Sequence, residues 1–103
     1  MGQVALVTGG ARRIGRTIVE RLAHEGYAVA IHTRRPSPDA ESLARAIVAA
    51  GGCAAIVTAE LSDPVAVRTI VPRAVAALGP LTLLVNNASE FEEDTLETLT
   101  EAQ

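Results

Sequence analysis

Short apolar runs alternate with amphipathic stretches of helical length from one end of this sequence to the other. That alternation is the mark of βαβ units, which stack their strands into a parallel sheet and place helices over its faces. The first run, about Gln3 to Thr8, ends in glycines. A helix is expected from about Arg13 to His24, with Ile14, Ile18, Arg21 and Leu22 along one side and Gly26 as its C-terminal stop. The second strand covers about Ala28 to Thr33. Pro36 and Pro38 then break the chain, and Ser37 or Asp39 can cap a helix that runs to about Ala50. After Gly51-Gly52 a third strand spans Ala54 to Thr58. Asp63-Pro64 pairs a cap with a proline at the first helical position, opening a helix that reaches Leu78, with a kink expected at Pro72. Leu81 to Val85 form a fourth strand, followed beyond Asn86 by a polar loop and a last helix starting at Thr95 or Leu96.

Right-handed crossovers are nearly obligatory, so the four strands are expected in the order 3-2-1-4. The fourth strand is then left without an outer neighbour, although its apolar sequence (Leu81, Leu83, Leu84, Val85) suits a buried central strand. The expectation is one domain that reads as a truncated half of a larger doubly wound α/β fold. With 2% aromatic residues, the core must be built from Val, Ile, Leu and Ala. A net charge of -3 argues against a nucleic-acid surface. No apolar run approaches the roughly 20 residues of a membrane span. Neither a basic segment leading into a long apolar stretch nor a myristoylation signal is seen: Leu6 stands where the latter needs Ser or Thr. Cys53 is the single cysteine, so no internal disulfide can form. A cytoplasmic location, with no membrane and no nucleic-acid partner, is the expectation.

The chemistry-bearing segment is Thr8-Gly9-Gly10-Ala11-Arg12-Arg13-Ile14-Gly15. A tight turn with little side-chain bulk exposes backbone N–H groups at a helix N-terminus, where they and the helix dipole receive an anion such as a pyrophosphate. Its place at the first βα turn is where open α/β sheets bind ligands. These residues resemble the TGxxxGxG cofactor motif of the short-chain dehydrogenases/reductases. Asn86-Asn87-Ala88-Ser89, at the end of the fourth strand, resembles that family's NNAG motif with Ser in the last place. One departure is that Arg13 replaces the middle glycine. The TGxxRRIG form, with the NASxF-like run Asn87-Ala88-Ser89-Glu90-Phe91, is similar to the pteridine reductase-like branch of the family.

The resemblance implies a Rossmann-type sheet, a nicotinamide cofactor, a small-molecule substrate and a homo-oligomer at full length. It implies cofactor contacts from Gly9, Arg12, Arg13, Ile14 and Gly15 at the turn, from Glu60 and Leu61 at the adenine, and from Asn87, Ala88 and Ser89 toward the nicotinamide ribose, with Asn86 bracing the sheet. Glu60 stands where the family usually has Asp. Ser89 would also touch substrate. Phe91 would stack on a flat substrate ring such as a pterin, or else pack its own loop onto the domain. The second strand ends His32-Thr33-Arg34-Arg35 with no acid. A carboxylate there would repel a ribose 2′-phosphate, whereas arginine binds one through paired charged hydrogen bonds, so Thr33, Arg34 and Arg35 point to NADP(H) over NAD(H). His32, inside an apolar strand, reads as structural.

In the family a tyrosine delivers the proton, a lysine four residues later lowers its pKa, and a serine orients the carbonyl or imine. All nine basic residues here are arginines, and the only tyrosine, Tyr27, opens the second strand. No catalytic residue is therefore assigned. Two readings follow: the NADP-binding half-domain (residues 1–103) of a longer NADP-dependent oxidoreductase acting on a pterin or another small carbonyl or imine compound, or a non-catalytic NADP-binding module or inactive fragment. The acidic run Glu90, Glu92, Glu93 and Asp94 reads as a solvated loop and helix start, with no His or Cys to make a metal site.

Overall fold

The structure, a computed structural model, describes residues 2–11 and 13–87. Within them the chain runs β1 (Val4–Thr8), α1 (Arg13–His24), β2 (Ala28–Thr33), α2 (Pro38–Ala49), β3 (Ala54–Thr58), α3 (Pro64–Leu78) and β4 (Leu83–Asn86). The strands form one parallel sheet in the order β3-β2-β1-β4, the order that right-handed crossovers require.

Local signals account for most element ends. Ser37 caps α2 by accepting from the N–H of Ala40, and Asp63 caps α3 by accepting from Val65 and Ala66. At the end of α1 the N–H of Tyr27 reaches the carbonyl of Leu22, and that of Gly26 the carbonyl of Ala23. Gly26 has φ 99, so this is a Schellman close, built on a conformation that only glycine adopts cheaply. Gly51 and Gly52 close α2 in the same way, with N–H groups on Val48 and Ile47. Helix α3 continues through Pro72 as one element.

Two expectations need correction. The fourth strand begins at Leu83, not Leu81, because Thr82 meets Val4 of β1 through its side chain as well as its backbone. Its N–H and hydroxyl both donate to the carbonyl of Val4, and its Oγ1 accepts from the N–H of Val4. The buried side of α1 is also different from the stripe expected. Gly15 and Val19 are buried with Ile18 and Leu22 partly so, whereas Arg21 is exposed and Ile14 is 70% exposed. The helix is rotated toward Gly15 because that residue must approach the glycine turn.

Two apolar layers sandwich the sheet. Val7, Val29 and Ile31 face α1 and α2, where they meet Val19, Leu43 and Ile47. Leu6, Ala30 and Val57 face α3 and meet Val67, Ile70 and Ala74. Successive residues of β1 and β2 thus serve opposite faces, so both strands must be apolar throughout. β1 is buried along its whole length. β4 pairs with β1 alone among the described strands and is only half-buried.

Candidate cofactor site

The C-terminal ends of β1 and β2 converge beside the start of α2 and enclose a cavity of about 510 Å³, lined by residues that include Gly9, Ala11, His32, Thr33, Arg34, Arg35 and Ser37. This is the crevice outside the strand ends where open parallel sheets receive ligands. Its floor is the glycine turn. Gly9 has φ 63, and a Cβ on Gly10 would lie 3.0 Å from the side chain of Val19 and 3.1 Å from the carbonyl oxygen of Val7. A Cβ on Gly15 would overlap the carbonyl oxygen of Gly9 and lie 2.6 Å from Asn87 Nδ2. The turn can therefore close onto α1 only without side chains at these positions.

Arg13, at the place of the expected middle glycine, has φ 54 and is exposed. A left-handed conformation costs an L-residue with a Cβ about 1–2 kcal/mol. Glycine would be the cheap choice here, and the guanidinium is carried in spite of the strain. Ile14 is the neighbouring apolar side chain left open to solvent.

The turn is braced from three sides. The Thr8 hydroxyl accepts from the N–H of Asn87 at 2.9 Å and lies 3.3 Å from Asn86 Oδ1. Asn87 Nδ2 donates to the carbonyl of Gly9 at 3.1 Å. Asn86 thus braces the sheet as expected, and the side chain of Asn87 is committed to the turn. His32 supplies the third brace. Its Nδ1 accepts from the N–H of Gly9 at 3.1 Å, its Nε2 lies 2.9 Å from the carbonyl oxygen of Ala59, and its own carbonyl accepts from the N–H of Gly10. Thr8 was marked by its place as the first residue of the glycine motif, whereas the His32 ring had no signal in the sequence beyond its position on an apolar strand.

The two arginines at the end of β2 are not equivalent. Arg34 Nε and Nη2 both lie 3.0 Å from Glu60 Oε2, so the residue expected at the adenine and one of the two phosphate candidates hold each other. Arg35 is exposed on the cavity wall and makes no hydrogen bond or ion pair among the described residues. Thr33 is buried, with its hydroxyl 3.4 Å from that of Thr58. The side chain of Leu61 packs into the α3-side core. Tyr27 lies just before β2, about 20 Å from the cavity at the strand's other end. Arg12, Ala88, Ser89, Phe91, the acidic run and the last helix lie outside the described residues. Among the described residues no three His, Cys, Asp or Glu side chains gather as a metal site, and no helix is long and apolar enough to cross a membrane.

A parallel sheet ordered 3-2-1-4, with a glycine-rich first βα turn opening on a cavity at its strand ends, defines a dinucleotide-binding domain of the Rossmann class. The short chain dehydrogenase family profile matches residues 3–103, and the chain belongs to that family. It is 40% identical over 100 residues to an uncharacterized oxidoreductase of Methylorubrum extorquens, an alignment that covers 97% of this chain and 40% of the relative. Among solved structures, it is similar to FolM alternative dihydrofolate reductase 1 from Brucella canis complexed with NADP. That match has a TM-score of 0.80 and 49% identity, over 84% of this chain and 34% of the other. A short chain dehydrogenase from Burkholderia cenocepacia in complex with NADP superposes with a TM-score of 0.89 at 34% identity, over 99% and 49% of the two chains. The chain thus spans well under two thirds of the length of the relatives it matches.

Proposed function

We propose that residues 1–103 form the NADP(H)-binding half-domain of a short-chain oxidoreductase that reduces a pterin or another small carbonyl or imine compound. The observation that carries the cofactor is the end of β2. It has no acid, and it presents Arg35, which has no hydrogen-bond or ion-pair partner among the described residues, on the wall of a cavity whose floor is the glycine turn. A 2′-phosphate is the anion an arginine at this strand end binds, and a carboxylate at the same place would reject it. The NADP complexes among the solved relatives support the same cofactor. When bound, NADPH supplies the hydride. The residues of this chain bind and orient it: the turn amides and Arg13 at the pyrophosphate, Arg35 at the 2′-phosphate, and Arg34 with Glu60 at the adenine edge. Similarity to a FolM protein supports the pterin class, and Ser89 and Phe91 are the residues of this chain proposed to meet that substrate. A tyrosine–lysine pair is not in this sequence, so proton delivery is assigned to no residue here. The proposed setting is cytoplasmic, and the whole protein is proposed to act as a homo-oligomer.

Calorimetric titration of the chain with NADP⁺ and NAD⁺ tests the cofactor. NADP⁺ should bind the tighter of the two. Arg35→Ala should weaken NADP⁺ by roughly tenfold or more, the loss of a charge-assisted hydrogen bond, and leave NAD⁺ unchanged. Equal affinities in the wild type, or a preference that survives Arg35→Ala, would refute the assignment.

A further inference from the structure

We propose that His32 is a positioning residue for the cofactor turn, acting through one defined tautomer of its buried ring. This inference rests on the NADP reading above and adds to it a residue that the glycine motif does not contain. His32 is fully buried. It lies two residues after Ala30 on β2, so it shares the α3 face of the sheet. The N–H of Gly9 can only donate, so Nδ1, 3.1 Å away, must carry a lone pair. The ring proton is then on Nε2 and is donated to the carbonyl of Ala59 at 2.9 Å. One neutral imidazole therefore satisfies a donor at the end of β1 and an acceptor just past β3. The backbone carbonyl of the same residue takes the N–H of Gly10.

The consequence lies in what this leaves for a ligand. Gly9 sits at φ 63, with its N–H on the His32 ring and its carbonyl on Asn87 Nδ2. The peptide planes on both sides of this glycine are thus fixed from outside the turn. The first two amides of the turn are consumed internally. The amides that follow, at the start of α1, have no intrahelical partner and are the ones left to receive an anion. Without an acceptor at the Nδ1 position, the part-buried Gly9 N–H would lose its partner, and the turn would shift to satisfy it. The relevant contacts span 23 and 27 residues of sequence, so the ring transmits the packing of β2 and β3 directly to the anion-binding backbone.

The test uses two polar substitutions that divide the two bonds. In His32→Asn the amide oxygen can take the place of Nδ1 and accept from Gly9, but the side chain falls short of Ala59. In His32→Gln the amide nitrogen can reach Ala59 in place of Nε2, but no acceptor is left at the Nδ1 position. NADP⁺ affinity by calorimetry and thermal unfolding are read for both variants and the wild type. Nitrogen-15 NMR of the ligand-free wild type reads the ring tautomer. The inference expects an unprotonated Nδ1 in the wild type. It expects His32→Asn to bind NADP⁺ within roughly threefold of the wild type, and His32→Gln to lose roughly tenfold or more. Both variants give up one bond of similar worth, so a purely structural role predicts that affinity follows the unfolding temperature and that the two lose alike. That outcome, or a proton on Nδ1, would overturn the inference. If the wild type itself fails to bind NADP⁺, the cofactor reading fails and the positioning role falls with it. The NMR result then shows separately whether the ring clamp exists.

Discussion

Gly15→Ala is the sharpest probe of the turn, because its added methyl group would overlap the carbonyl oxygen of Gly9, lie 2.6 Å from Asn87 Nδ2 and lie 3.0 Å from the Cα of Gly10. Two of these neighbours are backbone atoms, and the third side chain is held by its own hydrogen bond to Gly9. None can rotate away at low cost. Overpacking of this kind costs about 1–3 kcal/mol. Displacing Asn87 from Gly9 removes a hydrogen bond worth about 1 kcal/mol. Alanine's better helix propensity returns up to about 1 kcal/mol, since Gly15 lies in the first turns of α1. The balance is a loss of about 2 kcal/mol. For a chain of this size that lowers the melting temperature by roughly 8–16 °C. Thermal unfolding followed by circular dichroism measures the loss, and titration with NADP⁺ should show weaker binding in the same variant at temperatures where it is still folded. An unchanged or raised melting temperature with full NADP⁺ affinity would refute the claim that α1 can pack on the turn only through glycine.

Two further outcomes follow from residues of the same site. Arg13→Gly should separate stability from binding. Relief of the left-handed strain, partly offset by glycine's greater freedom in the unfolded chain, should raise stability by about 0.5 kcal/mol, visible as a melting temperature higher by roughly 2–4 °C, while the loss of the guanidinium weakens NADP⁺ in calorimetry. Glu60→Gln should release Arg34 from its ion pair and remove a negative charge from the cavity rim. Because the pair is part-exposed at 44% and 33%, stability should change by less than about 1 kcal/mol, while NADP⁺ affinity rises by roughly threefold in the same titration.

The sequence was most informative where a signal is carried by a few adjacent residues. Ser37-Pro38 and Asp63-Pro64 start helices by satisfying amides within three positions of themselves, and Gly26 ends one by adopting a positive φ. Those events need no tertiary partner, so the bounds of α1, β2, β3 and α3 could be read in advance. Strand order was legible for a related reason, since the handedness of a βα crossover follows from L-amino acids rather than from any particular packing. The glycine turn and the absence of an acid after β2 were equally open to reading, because backbone space and charge sign are properties of the residue types themselves.

Only the tertiary structure decided how those residues divide their work. Arg34 and Arg35 are indistinguishable neighbours in the sequence. One is paired with Glu60, 26 positions away, and the other is left facing the cavity. Thr82 pairs with Val4 across 78 positions, which delays the start of β4. Ile14 fits the apolar face of an isolated helix and yet is exposed, because the approach of Gly15 to the turn sets the rotation of α1. His32 reads only as a polar residue within an apolar strand until the sheet brings Gly9 and Ala59 to its two ring nitrogens. A hydrogen bond forms between atoms that the fold places about 3 Å apart, and no local pattern encodes that distance when the partners come from different strands.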